Sequence, residues 1–199
     1  MYREKLRRSI LRAQAIGFIG DDIELIERHS ERFAEVCQSY WDGPGSGADL
    51  GSGGGVPAFV IAELIEDISL LLIETMEKRA AFLREEVAEL GLSNRLRVYC
   101  GRGEDAGREP EFRERFALVT ARGFGPPSPT VEIGSALLAL GGGIDHLVDD
   151  RGRERRSEHA ERDPVAQALP ALPHRLSGSR HRPRLHACNL KLLVLDLDQ

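Results

Sequence analysis

Asp49-Leu50-Gly51-Ser52-Gly53-Gly54-Gly55 follows a short apolar lead-in and precedes Val56-Pro57-Ala58-Phe59-Val60-Ile61-Ala62, which reads as the start of a helix. A strand, a glycine-dense turn and a helix in that order form a cradle for a phosphate or nucleoside. Glycines let the backbone turn sharply and come close to a ligand, and the first turn of the helix presents unpaired N–H groups. Pro57 suits that first turn, where its missing N–H costs nothing.

Outward from this turn, strands and helices alternate. Ala48-Asp49-Leu50 ends the first strand, and Gly43-Pro44-Gly45-Ser46-Gly47 before it reads as a turn or linker. Ile68 to Ile73 is a continuous apolar run, as expected of a parallel strand covered on both faces, and it stops at Glu74. Met76, Ala80, Leu83, Val87 and Leu90 recur at steps of four and three, which predicts a helix that Gly91-Leu92 caps. A third strand over 96–100 leads into a turn from Gly101 to Asp105. A fourth over 116–121 ends at Arg122, a helix is expected over 130–140, and a fifth strand over 144–148 follows three glycines. This is an α/β chain with a doubly wound sheet, whose ligands bind at the carboxyl ends of the strands. Asp49, Glu74, Glu104 and Arg122 each follow an apolar strand and so share that edge.

Two helices are expected before the sheet. Residues 2–16 carry five Lys and Arg among Leu6, Ile10, Leu11 and Ala13, either as a solvated face or as a contact for RNA phosphates. Asp21, with Glu24 three residues on, resembles a capping box for the next helix, whose Ile23, Ile26, Phe33, Cys37 and Tyr40 form a packing stripe. The chain thus divides into a helical segment at 1–42, a nucleotide-type domain at 43–150 and a tail at 151–199. The tail carries the charge run Arg151–Arg156, four prolines and four of the six histidines, and it reads as divergent and partly disordered, with a terminal strand over 190–197.

Composition narrows the function. The net charge of −5 divides into +4 over residues 151–199 and −9 over the first 150, so the acidic body argues against broad nonspecific nucleic-acid binding. No apolar run reaches the roughly 18–20 residues that span a membrane, and the basic N-terminus has no signal-peptide pattern. Three cysteines without zinc or redox spacing make a reducing cytoplasm the default and give no metal site.

The glycine turn admits two ligands. Gly53-x-Gly55-x-x-Ala58, with Glu74 about 20 residues on, satisfies the alanine form of the dinucleotide pattern. Asp49, Gly51, Gly53 and Gly55 also match in full the D-x-G-x-G-x-G turn of class I S-adenosylmethionine-dependent methyltransferases. In that reading Glu74, a carboxylate with acceptor capacity on two oxygens, takes hydrogen bonds from both ribose hydroxyls.

Four blocks in order, DLGSGGGVP (49–57), EKRAAFLREEVAELGL (77–92), GED (103–105) and FALVTARGFGPP (116–127), resemble the small-subunit rRNA methyltransferase G family, also called the glucose-inhibited division protein B group. The similarity spans about residues 12–142, and no match is read beyond. It implies a Rossmann-like fold with N-terminal helices, S-adenosyl-L-methionine as cofactor, and methylation of guanine N-7 in 16S rRNA of the 30S subunit. It further implies that Gly51 and Val56 line the methionine and ribose side, with Ser52, Gly53 and Gly55 in the turn. Gly103 and Glu104 would sit beside the adenine and Arg122 would complete the pocket. Lys78 and Arg79 match the family's basic pair and become candidates for RNA phosphate. No proton-transfer residue is nominated, because the attacked nitrogen carries a free lone pair, and proximity and orientation supply the rate. A monomer acting on RNA, with no DNA or membrane partner, is expected. Three alternatives stay open: a class I methyltransferase acting on a small molecule or protein, a nicotinamide oxidoreductase, and a noncatalytic cofactor- or RNA-binding relative.

Overall fold

The computed structural model describes residues 2–20, 22–41 and 45–139, together with the backbone of 146–149, 154–155 and 191–196. Helices α1 (Tyr2–Ala15) and α2 (Ile23–Tyr40) come first. Strand β1 (Gly45–Leu50), helix α3 (Ala58–Leu64), strand β2 (Ile68–Glu74), helix α4 (Glu77–Glu89) and strand β3 (Leu96–Cys100) alternate after them. Helix α5 (Gly103–Ala106), strand β4 (Leu118–Arg122), helix α6 (Pro127–Leu137) and strands β5 (His146–Asp149), β6 (Glu154–Arg155) and β7 (Lys191–Asp196) complete the order.

The sheet runs β3-β2-β1-β4-β7-β5-β6, and every pairing in it is parallel except that of β5 with β6. Parallel strands put all their carboxyl ends on one edge, and the chain reverses its winding direction between β1 and β4. In such folds that is the crevice where ligands bind. The tail strand β7 lies in register with β4, Leu118 opposite Lys191.

The apolar runs pack as their patterns require. In β2 all residues but Ser69 are buried, since helices cover both faces. One cluster, around Phe59, Ile61, Ile68, Leu72 and Leu83, takes in Leu6 and Ile10 of α1 and Phe33 and Cys37 of α2, so the N-terminal helices share the core of the sheet. A second, with Leu50, Ile73, Val119 and Leu137, fills the other face. Helix α3 is short, and Arg95 covers its carboxyl end by donating to the carbonyls of Ala62 at 2.9 Å, Glu66 at 3.0 Å and Ile65 at 3.1 Å. Helix ends leave such acceptors without intrahelical partners.

Four local expectations are corrected. Asp22, not Asp21, caps α2, its carboxylate accepting from the Leu25 N–H at 2.9 Å. Gly45-Ser46-Gly47, read as linker, is strand; a Cβ at Gly47 would stand 2.9 Å from Leu70 Cδ2, so packing against the neighbouring strand favours glycine there. Met76 is not part of the buried stripe of α4: it precedes the first turn, is half exposed, and Phe82 takes its place in the core. The turn after β3 closes into α5. Most cations of α1 are also spent within the fold. Arg3 pairs with Glu63, Arg7 with Glu27 and Arg12 with Glu86 at 2.7 Å, while Lys5 donates to the Glu89 carbonyl, so the basic face latches α1 onto α2, α3 and α4.

Candidate cofactor site

The site is built on the tips of β1, β2, β3 and β4. After β1 the backbone takes positive φ at Gly51 (+70°), Gly53 (+53°) and Gly55 (+89°), angles that residues with a Cβ adopt only with strain. The turn is laced to β2, since the N–H groups of Gly51 and Ser52 both donate to the Ile73 carbonyl, at 2.9 and 3.1 Å. The Ser52 hydroxyl donates to the Asp49 carbonyl at 3.1 Å and so braces the turn from inside.

Glu74 ties three tips together. Its Oε2 accepts from the Gly53 N–H at 3.0 Å, its Oε1 from the Met76 N–H at 2.8 Å, and its backbone carbonyl from the Gly101 N–H at 3.0 Å. The side chain is buried, so each bond counts. A carboxylate offers about four lone-pair positions, and two remain for a ligand.

Beneath the turn lies a polar layer. The β1–β4 register sets Asp49 opposite Thr120, whose hydroxyl donates to the Asp49 carboxylate at 2.6 Å. Arg122, at the tip of β4, donates to the Ser30 hydroxyl of α2 at 3.2 Å. Burial pushes the Asp49 carboxyl up to about 6, although Thr120, Ser52 and Arg122 pull it back. Burial likewise lowers the pKa of Arg122, and Asp49 opposes it. The folded protein therefore holds the Asp49 proton more tightly than the unfolded chain does. Its contribution to stability falls as pH rises from about 4 to about 6 and is level above. From an ordinary value of 3.8, that shift amounts to about 3 kcal/mol. Asp49→Asn, which can still accept from Thr120, is expected to gain about this much on the wild type between pH 4 and pH 7 in urea titrations. A difference in stability that does not change with pH would rule out the buried charge.

Of the other residues nominated from sequence, Gly103 and Glu104 open α5 on the same edge. Glu104 pairs with Arg102 at 2.8 Å, which holds its carboxyl below the usual range. The Val56 side chain is packed in the core cluster beneath the turn. Lys78 and Arg79 lie outside the cradle, on the first turn of α4. Lys78 is exposed and lines a groove of about 380 Å³ with Arg12, Ile16, Phe18, Phe82 and Glu85. The Arg79 guanidinium stacks 5.4 Å above the Phe18 ring. Among the described residues no helix is long and apolar enough to cross a membrane.

Two contributors escaped the sequence reading. Gly54 occupies a variable place in the turn motif, yet a Cβ there would stand 2.5 Å from Ile19 Cγ2 and 3.1 Å from Ala13 Cβ, because the end of α1 and the loop after it lie on the turn. Phe124, just past β4, puts Cδ2 at 2.8 Å from where a Cβ at Gly51 would be. Nothing local marks the first contact. Only the glycines on either side of Phe124 hint at the second.

Against known proteins, the family profile of rRNA small subunit methyltransferase G matches residues 18–182. The chain belongs to that family. Among curated methyltransferase G relatives, that of Roseiflexus castenholzii is 36% identical over 124 residues, covering 62% of this chain and 53% of its own length. That of Clavibacter sepedonicus is 37% identical over 153 residues, covering 76% and 69%. The chain thus spans about half the length of the first of these methyltransferase G relatives. A solved structure from Klebsiella pneumoniae, provisionally called an O-methyltransferase, superposes with a TM-score of 0.57 at 17% identity, covering 69% of this chain and 61% of that one. The shared architecture is the Rossmann-like sheet of class I methyltransferases. The methyltransferase G match includes the turn, Glu74, the 103–104 pair and Arg122, and it runs well past residue 142, where the similarity read from sequence stopped.

Proposed function

We propose that this chain binds S-adenosyl-L-methionine and methylates guanine N-7 of 16S rRNA in the small ribosomal subunit, as a monomer in the cytoplasm without DNA or membrane partners. The observation that carries the reading is Glu74 bonded to the glycine turn with two acceptor positions to spare, in a chain of the methyltransferase G family. The cradle fits the group. A Cβ built at Gly53 meets only the Gly51 carbonyl at 3.6 Å, so that face of the turn lies open beside the carboxylate. In this reading Glu74 takes the ribose hydroxyls, and Gly51 to Gly55 let the backbone approach the methionine and ribose. Gly103 and Glu104 flank the adenine, and Asp49 and Arg122 present opposite charges toward the methionine end.

When bound, the cofactor supplies a methyl group on a sulfonium, which a nucleophile displaces in line. The lone pair of guanine N-7 is free at neutral pH, so none of these residues needs to move a proton. Their work is to fix the reacting atoms in line and exclude water. In this reading Lys78, exposed on the groove beside α1, and Arg79, next to it on the first turn of α4, meet RNA phosphate.

The test is methyl transfer. The full chain with methyl-labelled cofactor and undermethylated 30S subunits is expected to label 16S rRNA as 7-methylguanine and to leave fully methylated subunits unlabelled. Cofactor binding without RNA labelling would sink the substrate assignment while sparing the cradle.

A further inference from the structure

We propose that Ser30 is a positioning residue of the cofactor site: from α2 its hydroxyl fixes the Arg122 guanidinium without neutralising it, and so keeps that charge available to the carboxylate at the methionine end of the cofactor. The inference rests on the cofactor reading above and names what holds one residue of that site in place.

Three observations carry it. First, Arg122 is the last residue of β4, one past the Leu50–Ala121 pair at which β1 gives way to the glycine turn. A long side chain at a strand tip is free to swing until a second group fixes it. Second, Ser30 supplies that group. Its hydroxyl is fully buried and accepts from Arg122 Nη1 at 3.2 Å, across 92 residues of sequence. Ser39 on the same helix turns its hydroxyl back instead, to the Val36 carbonyl at 2.7 Å. Third, the anchor is neutral. Arg12, Arg84 and Arg102 each meet a carboxylate oxygen at 2.7 to 3.0 Å. Among the described residues no carboxylate forms such a pair with Arg122, and Asp49, bonded to Thr120, acts on it only through its charge. A carboxylate at position 30 would consume the guanidinium in an ion pair. A hydroxyl holds one nitrogen and leaves the charge and the remaining N–H groups for an anionic group, which a guanidinium grips best through two parallel bonds.

The test compares two ligands. S-adenosylhomocysteine carries the amino-acid end of the cofactor, and methylthioadenosine is the nucleoside without it. Both are titrated calorimetrically into the full chain as wild type, Ser30→Ala, Ser30→Thr, Arg122→Met and the double variant Ser30→Ala/Arg122→Met, with folding checked by thermal melting. Alanine is the better helix former, so Ser30→Ala should fold. It is expected to weaken S-adenosylhomocysteine about 10-fold, the size of one hydrogen bond to a charged group, and to leave methylthioadenosine within about 2-fold of wild type. Ser30→Thr, which keeps the hydroxyl, is expected to bind both ligands as wild type does. Once Arg122→Met has removed the group that Ser30 positions, Ser30→Ala is expected to cost nothing more. Equal losses for the two ligands, no loss for either, or the same loss with Arg122 already removed overturns the proposal. If Ser30→Thr is too crowded to fold, the double variant decides. Failure of the wild type to bind either ligand would remove the cofactor reading itself, and the role of Ser30 with it. Wild-type binding of both, with no selective loss in Ser30→Ala, would remove only the role of Ser30.

Discussion

Glu74→Gln is expected to weaken S-adenosylhomocysteine binding at least about 100-fold, with Glu74→Ala at least as severe. Both carboxylate oxygens already accept a backbone N–H, at 3.0 Å from Gly53 and 2.8 Å from Met76. Glutamine keeps one acceptor oxygen and turns an NH₂ toward the other N–H, so a buried donor faces a donor. That costs about 1–3 kcal/mol in stability and loosens the turn. On the proposed reading the ribose then loses charge-assisted hydrogen bonds, each worth about 1.5–3 kcal/mol, and 100-fold in Kd corresponds to about 2.8 kcal/mol. Isothermal titration of wild type and both variants, paired with urea unfolding, separates the two losses. Wild-type affinity in a folded Glu74→Gln protein would show that Glu74 only braces the turn.

Among the glycines whose surroundings the structure describes, Gly55 should be the one where an added methyl group, in Gly55→Ala, does the most damage. At φ +89° a Cβ is strained whatever surrounds it, and here it would lie 2.1 to 2.7 Å from three atoms of the Phe59 ring. Phe59 is fully buried at the start of α3, so its ring has nowhere to go without moving the helix. Backbone strain of about 1–3 kcal/mol and overpacking of about 1–3 kcal/mol together predict a loss of about 4 kcal/mol. For a domain of this size, that lowers Tm by roughly 10 °C or more. Calorimetry on Gly55→Ala, with Gly91→Ala as a comparison at φ +73° and no atom within 4 Å of its Cβ, isolates the clash from the backbone strain. Equal losses at the two sites would show that Phe59 yields freely.

How much was legible differs from residue to residue. The turn, the acid at the second strand tip and the alternation of strand and helix were readable because each is a local pattern with a local cause: glycine for positive φ, an apolar run for burial on both faces, a carboxylate where a strand ends. Met76 was misplaced because helical periodicity does not say where a helix begins. The strand at Gly45 to Gly47 was hidden because glycine disfavours strands intrinsically, and pairing on both sides overrides that preference. The basic face of α1 was ambiguous because its carboxylate partners lie on three other helices.

By itself the sequence determined the fold class and the family, since parallel strand direction follows from the alternation of strand and helix patterns and the family's motifs are local. Tertiary structure alone decided the rest, because each of these contacts joins residues far apart in the chain. It laid Ile19 on Gly54, set Thr120 against Asp49, brought the Gly53 N–H to the carboxylate of Glu74, and laid the ring of Phe124 across Gly51. Packing distances and the pKa of a buried carboxyl depend on what the folded chain brings near, and no local pattern carries that information.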